Sequence, residues 1–348
     1  MTETSFLKPF IIPVFIPHKG CPHQCIFCNQ TAITGVNKDS LDLKPLRTRI
    51  DTYLTYKSDH RGMVQISYYG GTFLGLERQE ILTYLTLARD YVDMGRVHSI
   101  RCSTRPDTIT QYTLDLVRPF PLKTIELGVQ SMDNEVLFLS HRGHTAEDTE
   151  NAVSLLRDKG YEIGLQMMVG LPGDSQEKSY ETALRMAAMK PDFVRIYPTV
   201  VLEKSPLAIL HKKVEYQPLS LAESVEQVKA LYLLFKEKGI PVIRMGLQAE
   251  EGLELGKGIL DGPYHPSFGQ MIYSGIFLDK ARVILEQEYL RMASSVTFLV
   301  HPKNISKFRG LKNCNLHVLK AEFGIVEILV SGDHSLGPDT VITAKTVA

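Results

Sequence analysis

The 348-residue chain has no net charge, because 39 Lys and Arg residues oppose 39 Asp and Glu. No global field therefore draws it onto nucleic acid or an anionic membrane, and any such partner has to be held by a local patch. Long apolar runs are missing as well. None approaches the roughly 20 residues that a membrane-spanning helix needs, so no membrane partner is expected. The opening MTETSFLKPFIIPVFIP lacks a basic start and is interrupted by Pro13 and Pro17, so it reads as a strand and not as a signal peptide. Repeats and low-complexity segments are absent. Cysteine is scarce, at five residues, and the odd count does not suit a secreted disulfide framework. A soluble protein of the reducing cytoplasm is expected. What is present is ordinary: 44% apolar and 22% charged residues, enough for a sizeable core. The length suggests about two domains, or one large domain with an appendage.

Strand-like and helix-like patterns alternate to about residue 200. Apolar or β-branched runs occupy 11–16, 64–69, 97–102, 123–129, 162–170 and 193–197. Between them, residues 77–94 carry Ile81, Leu82, Leu85 and Leu87 at helical spacing before Gly95, and 145–159 run from Thr145 to Gly160. Further helices are predicted at 175–189 and at 220–238, the latter opening with Ser220 and Glu223 in capping-box spacing. Repeated β–α units imply a parallel sheet, either doubly wound or closed towards a barrel. Beyond 250 the character changes. A Gly-rich stretch, a helix at 277–293 and strands near 296–300, 315–320 and 324–330 suggest a small α+β extension, with domains expected at 1–250 and 251–348.

Cys21, Cys25 and Cys28 fall on the loop after the first strand, at the carboxyl end of the sheet, where α/β folds place their chemistry. Three thiolates on one tight loop can wrap a metal centre. Structural zinc takes four protein ligands; the fourth would be His23, Cys102 or Cys314, none at a paired spacing. An iron–sulfur cluster held by three cysteines would instead leave one iron open to a small ligand. Three packed thiols without metal are the bland reading. The double glycine of Tyr68-Tyr69-Gly70-Gly71-Thr72-Phe73 ends the second strand and lets backbone approach a ligand closely.

Cys-x-x-x-Cys-x-aromatic-Cys after the first strand resembles the signature of the radical S-adenosylmethionine (SAM) enzymes. The resemblance implies a [4Fe-4S] cluster on Cys21, Cys25 and Cys28, whose open iron binds SAM and whose electron cleaves it to methionine and a 5′-deoxyadenosyl radical. It implies a partial (β/α)6-type barrel, with Phe27 near the adenine and Asn29 ordering the cluster loop. Gly70, Gly71 and Thr72 match the element that binds the SAM amino group. Ser103 and Arg105 after the third strand, Gln130 and Arg142 after the fourth, and Gly170, Leu171 and Pro172 after the fifth match positions facing the ribose, carboxylate and adenine. A flavodoxin or ferredoxin is implied as electron donor.

The run from Ile125 to Thr145 looks like the branch containing the Elongator catalytic subunit and oxygen-independent coproporphyrinogen oxidase. Unlike the Elongator subunit, the sequence shows no glycine-rich acetyl-coenzyme A loop and no longer cysteine spacing, and about 100 residues follow the barrel-like region. The start of the coproporphyrinogen oxidase cluster motif is also absent. The substrate stays open between a small molecule and RNA, with Tyr197, Tyr264 and His265 as candidate catalytic residues. Tyr264 and His265 could close over the barrel mouth, or simply form a proline-shaped turn. Lys303, Lys307, Arg309, Lys312 and Lys320 lie in a stretch without carboxylates, either an RNA patch or a solvated face. Cys102 and Cys314 are expected to be packing residues.

Overall fold

The computed structural model describes residues 9–16, 20–29, 43–56, 62–247 and 254–344. The expected boundary at 250–251 and the first eight residues lie outside this set. Strands β1 (Phe10–Phe15), β2 (Val64–Tyr69), β3 (Ser99–Thr104), β4 (Leu122–Gln130), β5 (Glu162–Val169) and β6 (Phe193–Pro198) pair in chain order. The short β7 (Val201–Leu202) leaves this sheet, and β8 (Val242–Met245) closes it beside β6 as the seventh strand. All its pairings are parallel. A doubly wound sheet reverses its strand order near the middle, whereas this order never reverses, so the sheet curls as a half-barrel.

The intervening helices are α1 (Leu43–Thr55), α2 (Arg78–Asp93), α3 (Gln111–Val117), α4 (Asn134–Leu139), α5 (Ala146–Asp158), α6 (Gln176–Ala188), α7 (Pro206–Lys212) and α8 (Leu221–Glu237). Their ends follow local chemistry. Thr145 with Asp148 and Ser220 with Glu223 form reciprocal capping boxes at the starts of α5 and α8. Gly95, Gly160 and Gly239 take left-handed φ values of 69°, 77° and 71° just past three of the helices.

The two faces of the sheet differ. Successive strand residues point to opposite sides. One set, including Ile12, Ile66, Ile100, Ile125, Leu165 and Ile196, is fully buried in the main core. The other set is polar: Gln65 donates to Ser99 Oγ at 3.0 Å and Thr124 Oγ1 at 3.3 Å across three strands. A parallel sheet inside an α/β fold is usually apolar on both faces. Here the polar face lines the lumen of the half-barrel.

After β9 (Glu254–Leu255) and β10 (Gly258–Asp261) comes α9 (Phe268–Gln287), which starts nine residues earlier than the expected helix. It gives Phe268, Ile272 and Ile276 to the main core, and Phe277, Ala281 and Leu285 to a second one. That second core sits under β11 (Ser295–Val300), paired in parallel with β12 (Glu327–Gly332) and antiparallel with β13 (Val341–Thr343). The expected strand at 315–320 is instead part of α11 (Cys314–Phe323), which follows the short α10 (Ile305–Arg309). Leu319 and Phe323, four residues apart, reach the core from one helical face. Among the described residues no helix is long and apolar enough to cross a membrane.

Candidate active site

The cysteine loop is held against the turn after β2 by backbone contact. Gly20 has φ +74°, and a Cβ built there would lie 2.2 Å from the Thr72 carbonyl oxygen. The contact is reciprocal, since a Cβ on Gly75 would lie 2.2 Å from the Gly20 oxygen. Only glycine at both positions permits this approach. Cys21 Sγ then sits 3.1 Å from Thr72 Oγ1. Further along, the Ile26 N–H donates to the Ser140 carbonyl at 3.2 Å and the Leu207 N–H to the Ile26 carbonyl at 2.8 Å. Ile26 is buried against Val201, Leu207 and Ala208, with Phe27 packed on the same small cluster. Asn29 Nδ2 donates to the Glu203 carbonyl, tying down the end of the loop.

Cys25 is buried, and its Sγ accepts from an Arg142 Nη at 3.1 Å. The other Nη of Arg142 bonds the Gly128 carbonyl. Gln130 closes a bulge in β4 with φ +69°, a device that re-aims a side chain at a strand end. Arg105 is buried and paired through two contacts of 2.9 Å with Asp107. Several polar atoms here are buried without a hydrogen-bond partner among the described residues: Ser103 Oγ, one Nη of Arg105, Arg142 Nε and His144 Nδ1. Burial, then the nearby Arg142 and Arg105, pushes His144 down to about 3, so its ring is neutral. Gly170, at φ +74°, donates its N–H to Asp174 at 2.9 Å and accepts from Tyr216 at 2.6 Å, with Leu171 buried and Pro172 half-buried beside it.

A charged network crosses the lumen floor. Glu126 on β4 is fully buried and receives an Arg101 Nη at 3.2 Å and an Arg195 Nη at 3.1 Å on one oxygen. Gln166 donates to its other oxygen at 3.0 Å. Tyr69 and Tyr197 lie beside Arg195, their hydroxyls 3.2 and 3.4 Å from it. Of the candidates read from the sequence, Tyr197 lies beside this network, whereas the mid-strand residues Arg101, Glu126, Gln166 and Arg195 carry no role in the sequence motifs, which sit at strand ends. Charge at the centre of a strand in a parallel sheet was the available signal.

The distal candidates do not join this set. Tyr264 packs beside Val200, Leu202 and Ile259. His265 Nδ1 accepts the Ser267 N–H at 3.0 Å, so the ring is engaged at the start of α9. Cys102 is buried in the core as expected, whereas Cys314 is exposed at the N-terminus of α11 and not packed.

Do these residues suit a cluster? Among the described residues no three Cys, His, Asp or Glu side chains converge as one metal ion requires. In a four-iron cube each thiolate binds a different iron, so three thiols spread along one loop are compatible with it. The orphaned polar atoms of Ser103, Arg105 and Arg142 beside the loop are those a polar ligand would satisfy. The donor set and its surroundings fit the group.

Comparison with known proteins agrees. The Radical SAM superfamily model matches residues 15–186, and the Radical_SAM C-terminal domain model matches 191–276. The chain belongs to the radical SAM superfamily, whose enzymes use a [4Fe-4S] cluster and SAM. Among individual proteins, it is 28% identical over 254 residues to a tRNA uridine(34) acetyltransferase of Methanocaldococcus jannaschii, covering 62% of this chain and 47% of that one. It is 24% identical over 287 residues to Elongator complex protein 3 of Mus musculus, covering 67% and 52%. A solved structure of the archaeal Methanocaldococcus infernus Elp3 superposes with a TM-score of 0.60 at 21% identity, covering 81% of this chain and 63% of that one, which establishes the shared fold. The chain spans about half the length of the curated relatives it matches.

Proposed function

We propose that this chain reductively cleaves SAM at a [4Fe-4S] cluster held by Cys21, Cys25 and Cys28, and directs the resulting radical at an organic substrate in the polar lumen. The observation that carries the reading is the Gly20–Thr72–Gly75 backbone contact, which brings a three-cysteine loop against the Gly70–Thr72 turn at the open edge of the sheet. Bound there, the cluster and SAM would supply one-electron cleavage of a sulfonium to methionine and a 5′-deoxyadenosyl radical. The chain's own residues bind and orient. Arg142 offsets thiolate charge at Cys25, the open backbone at Gly70 and Gly71 leaves room for an ammonium group, and Ser103, Arg105 and Gln130 offer polar contacts to the rest of SAM. Gly170, Leu171 and Pro172 present backbone edges suited to adenine. In this proposal residues 1–250 carry the chemistry, 251–348 form an extension, and the protein works in the cytoplasm.

Anaerobic reconstitution with iron and sulfide, then dithionite and SAM, tests it. The expected product is 5′-deoxyadenosine, absent from a Cys28→Ala control. A fully loaded wild-type protein that forms none would overturn the reading.

RNA is the substrate favoured by two further observations. Three of the relatives carry tRNA in their names, and Lys303, Arg309 and Lys312 are exposed, with no acid among the described residues paired to them.

A further inference from the structure

One cation of the lumen wall is left over once the network on its floor is satisfied. Arg195 is engaged by Glu126 and donates to the hydroxyls of Tyr69 and Tyr197, while Arg101 is engaged by Glu126 and Glu162. Arg244 on β8 is half-buried, and no acid among the described residues pairs with it.

The sheet breaks its register to place this residue. Pairing of β6 with β8 steps from Val194–Val242 to Arg195–Arg244 and on to Ile196–Met245, so Ile243 is bulged out. Partnered residues on neighbouring strands share a face of the sheet. Arg244 therefore stands beside Arg195 on the lumen face, while Val242 and Met245 pack on the main core. Without the bulge Ile243 would pair with Arg195, and Arg244 with Ile196 on the core side. Bulges re-aim side chains in this way beside functional sites. Just beyond, the Gly246 N–H donates to the Ile196 carbonyl at 3.0 Å and pins the strand.

Two guanidiniums side by side, one of them half-buried without a carboxylate, cost free energy that a bound oxyanion would offset. A second group points to the same ligand. Tyr197 follows Arg195 by two residues on the lumen face, and its hydroxyl accepts an Arg195 Nη at 3.4 Å. The proton of that hydroxyl has no acceptor among the described residues. Strand spacing and rise set the Cα atoms of Tyr197 and Arg244 about 8 Å apart, so both side chains reach one group held between them. Neither residue belongs to the positions matched to SAM, which lie at the ends of β2 to β5. The β6–β8 side of the lumen is left for the substrate.

We propose that Arg244, together with Tyr197, binds an oxyanion of the substrate, a carboxylate or a phosphate, so that the substrate is an organic anion anchored on the β6–β8 side. The inference rests on the reading that the lumen holds the substrate.

The test uses the full chain, reconstituted anaerobically and saturated with SAM without reductant, so that the SAM site is filled. Inorganic phosphate and, separately, acetate are titrated by calorimetry in chloride at constant ionic strength. Binding of either is expected, and the tighter of the two names the oxyanion. Arg244→Gln should weaken it about tenfold or more. Arg244→Lys keeps the charge, loses the planar fork and should fall between. Tyr197→Phe should weaken binding severalfold, and neutralising Lys303, Lys307 and Arg309 should leave it unchanged. In chloride alone Arg244→Gln should keep the wild-type Tm or raise it, because no acid loses a partner. For a phosphate, uridine 5′-monophosphate and a uridine-rich single-stranded RNA distinguish the source. Arg244 dependence confined to the mononucleotide assigns the group to a small molecule, and dependence in both assigns it to a nucleotide of RNA. A wild type that binds neither anion, or binds them equally well after Arg244→Gln, would overturn the proposal. A fall in Tm for Arg244→Gln would assign Arg244 to support of the sheet and overturn it too. Wild type that forms no 5′-deoxyadenosine with dithionite refutes the radical SAM reading instead, and anion binding is judged by calorimetry whatever that result.

Discussion

Glu126→Gln preserves side-chain shape and removes the carboxylate on which Arg101 and Arg195 converge. The side chains of these arginines are only 5% and 11% exposed. Arg101 would retain Glu162 at 3.9 Å, a partner that is itself a quarter exposed, while Arg195 would retain only tyrosine hydroxyls. Breaking a buried pair costs about 3–5 kcal/mol because a charge is left uncompensated. The remaining Glu162 contact places the expected loss near the lower end, about 3 kcal/mol. At roughly 2 °C per kcal/mol for a chain of this size, Tm should fall by about 6 °C. Guanidinium unfolding of the metal-free protein measures it, with the midpoint falling and the slope unchanged. Glu126→Gln combined with Arg195→Gln restores the charge balance, and should recover at least 1 kcal/mol relative to the sum of the singles. A single substitution costing less than 1 kcal/mol, or singles that add within about 0.5 kcal/mol, would refute the claim that this network acts as a unit.

Three other outcomes follow from the structure. His144 titrates near 3 when folded against 6.5 for the free side chain. Below pH 6.5 the unfolded chain therefore takes up a proton that the folded one refuses, and stability is lost as pH falls from about 6.5 towards 3, by at most ~1.4 kcal/mol per pH unit. His144→Gln should flatten that part of the urea stability profile, and an unchanged slope counts against the buried neutral ring. Gly20→Ala forces a Cβ to within 2.2 Å of the Thr72 oxygen, with about 1–2 kcal/mol of left-handed backbone strain besides; reconstituted iron content should drop sharply, and normal loading would show that the contact is dispensable. Neutralising Lys303, Lys307 and Arg309 together should make the log–log salt slope of RNA binding shallower by about 2–3, at roughly 0.7–0.9 for each phosphate no longer neutralised. An unchanged slope would remove the patch from consideration.

Much of the half-barrel is legible in the sequence because its cues are local. Ser220 with Glu223, Thr145, and the glycines after three helices each act within one turn of chain. The segment 315–320 misleads because Leu316, Val318 and Leu319 form a short apolar run that a strand and a buried helix share. Only Phe323, four residues beyond Leu319, reveals the helical face. The early start of α9 is hidden by Gly269 and Gly275, which weaken a helical pattern, and Gly275 there faces Lys229. The cysteine loop and the Gly70–Thr72 turn are readable as separate motifs. Their contact is not, since the Gly20–Thr72 approach joins positions 52 residues apart. The lumen network is hidden for the same reason. Arg101, Glu126 and Arg195 each look like an isolated charge within an apolar strand; only the register, which sets Arg101 opposite Thr124, Glu126 opposite Gly164 and Arg195 opposite Gln166, brings their long side chains within reach on one face.

Helix α9 hands over from one core to the other between Ile276 and Phe277, within an unbroken helix. The match to the Radical_SAM C-terminal domain model ends at residue 276, the same position. The extension is thus spliced on as a screw, and its bearing on the half-barrel is a matter of helical phase. One residue inserted at this joint would swing the extension by about 100° and lift it about 1.5 Å. The lysines and arginine of α10 and α11 would turn to a new bearing, and the contacts that cross the joint, Asn315 Nδ2 to the Ser274 carbonyl at 2.9 Å and Lys229 to Asp279 at 2.7 Å, would part. The joint between 276 and 277 therefore acts as a setscrew, fixing where the extension's charges point, with pairs such as Lys229–Asp279 locking the setting.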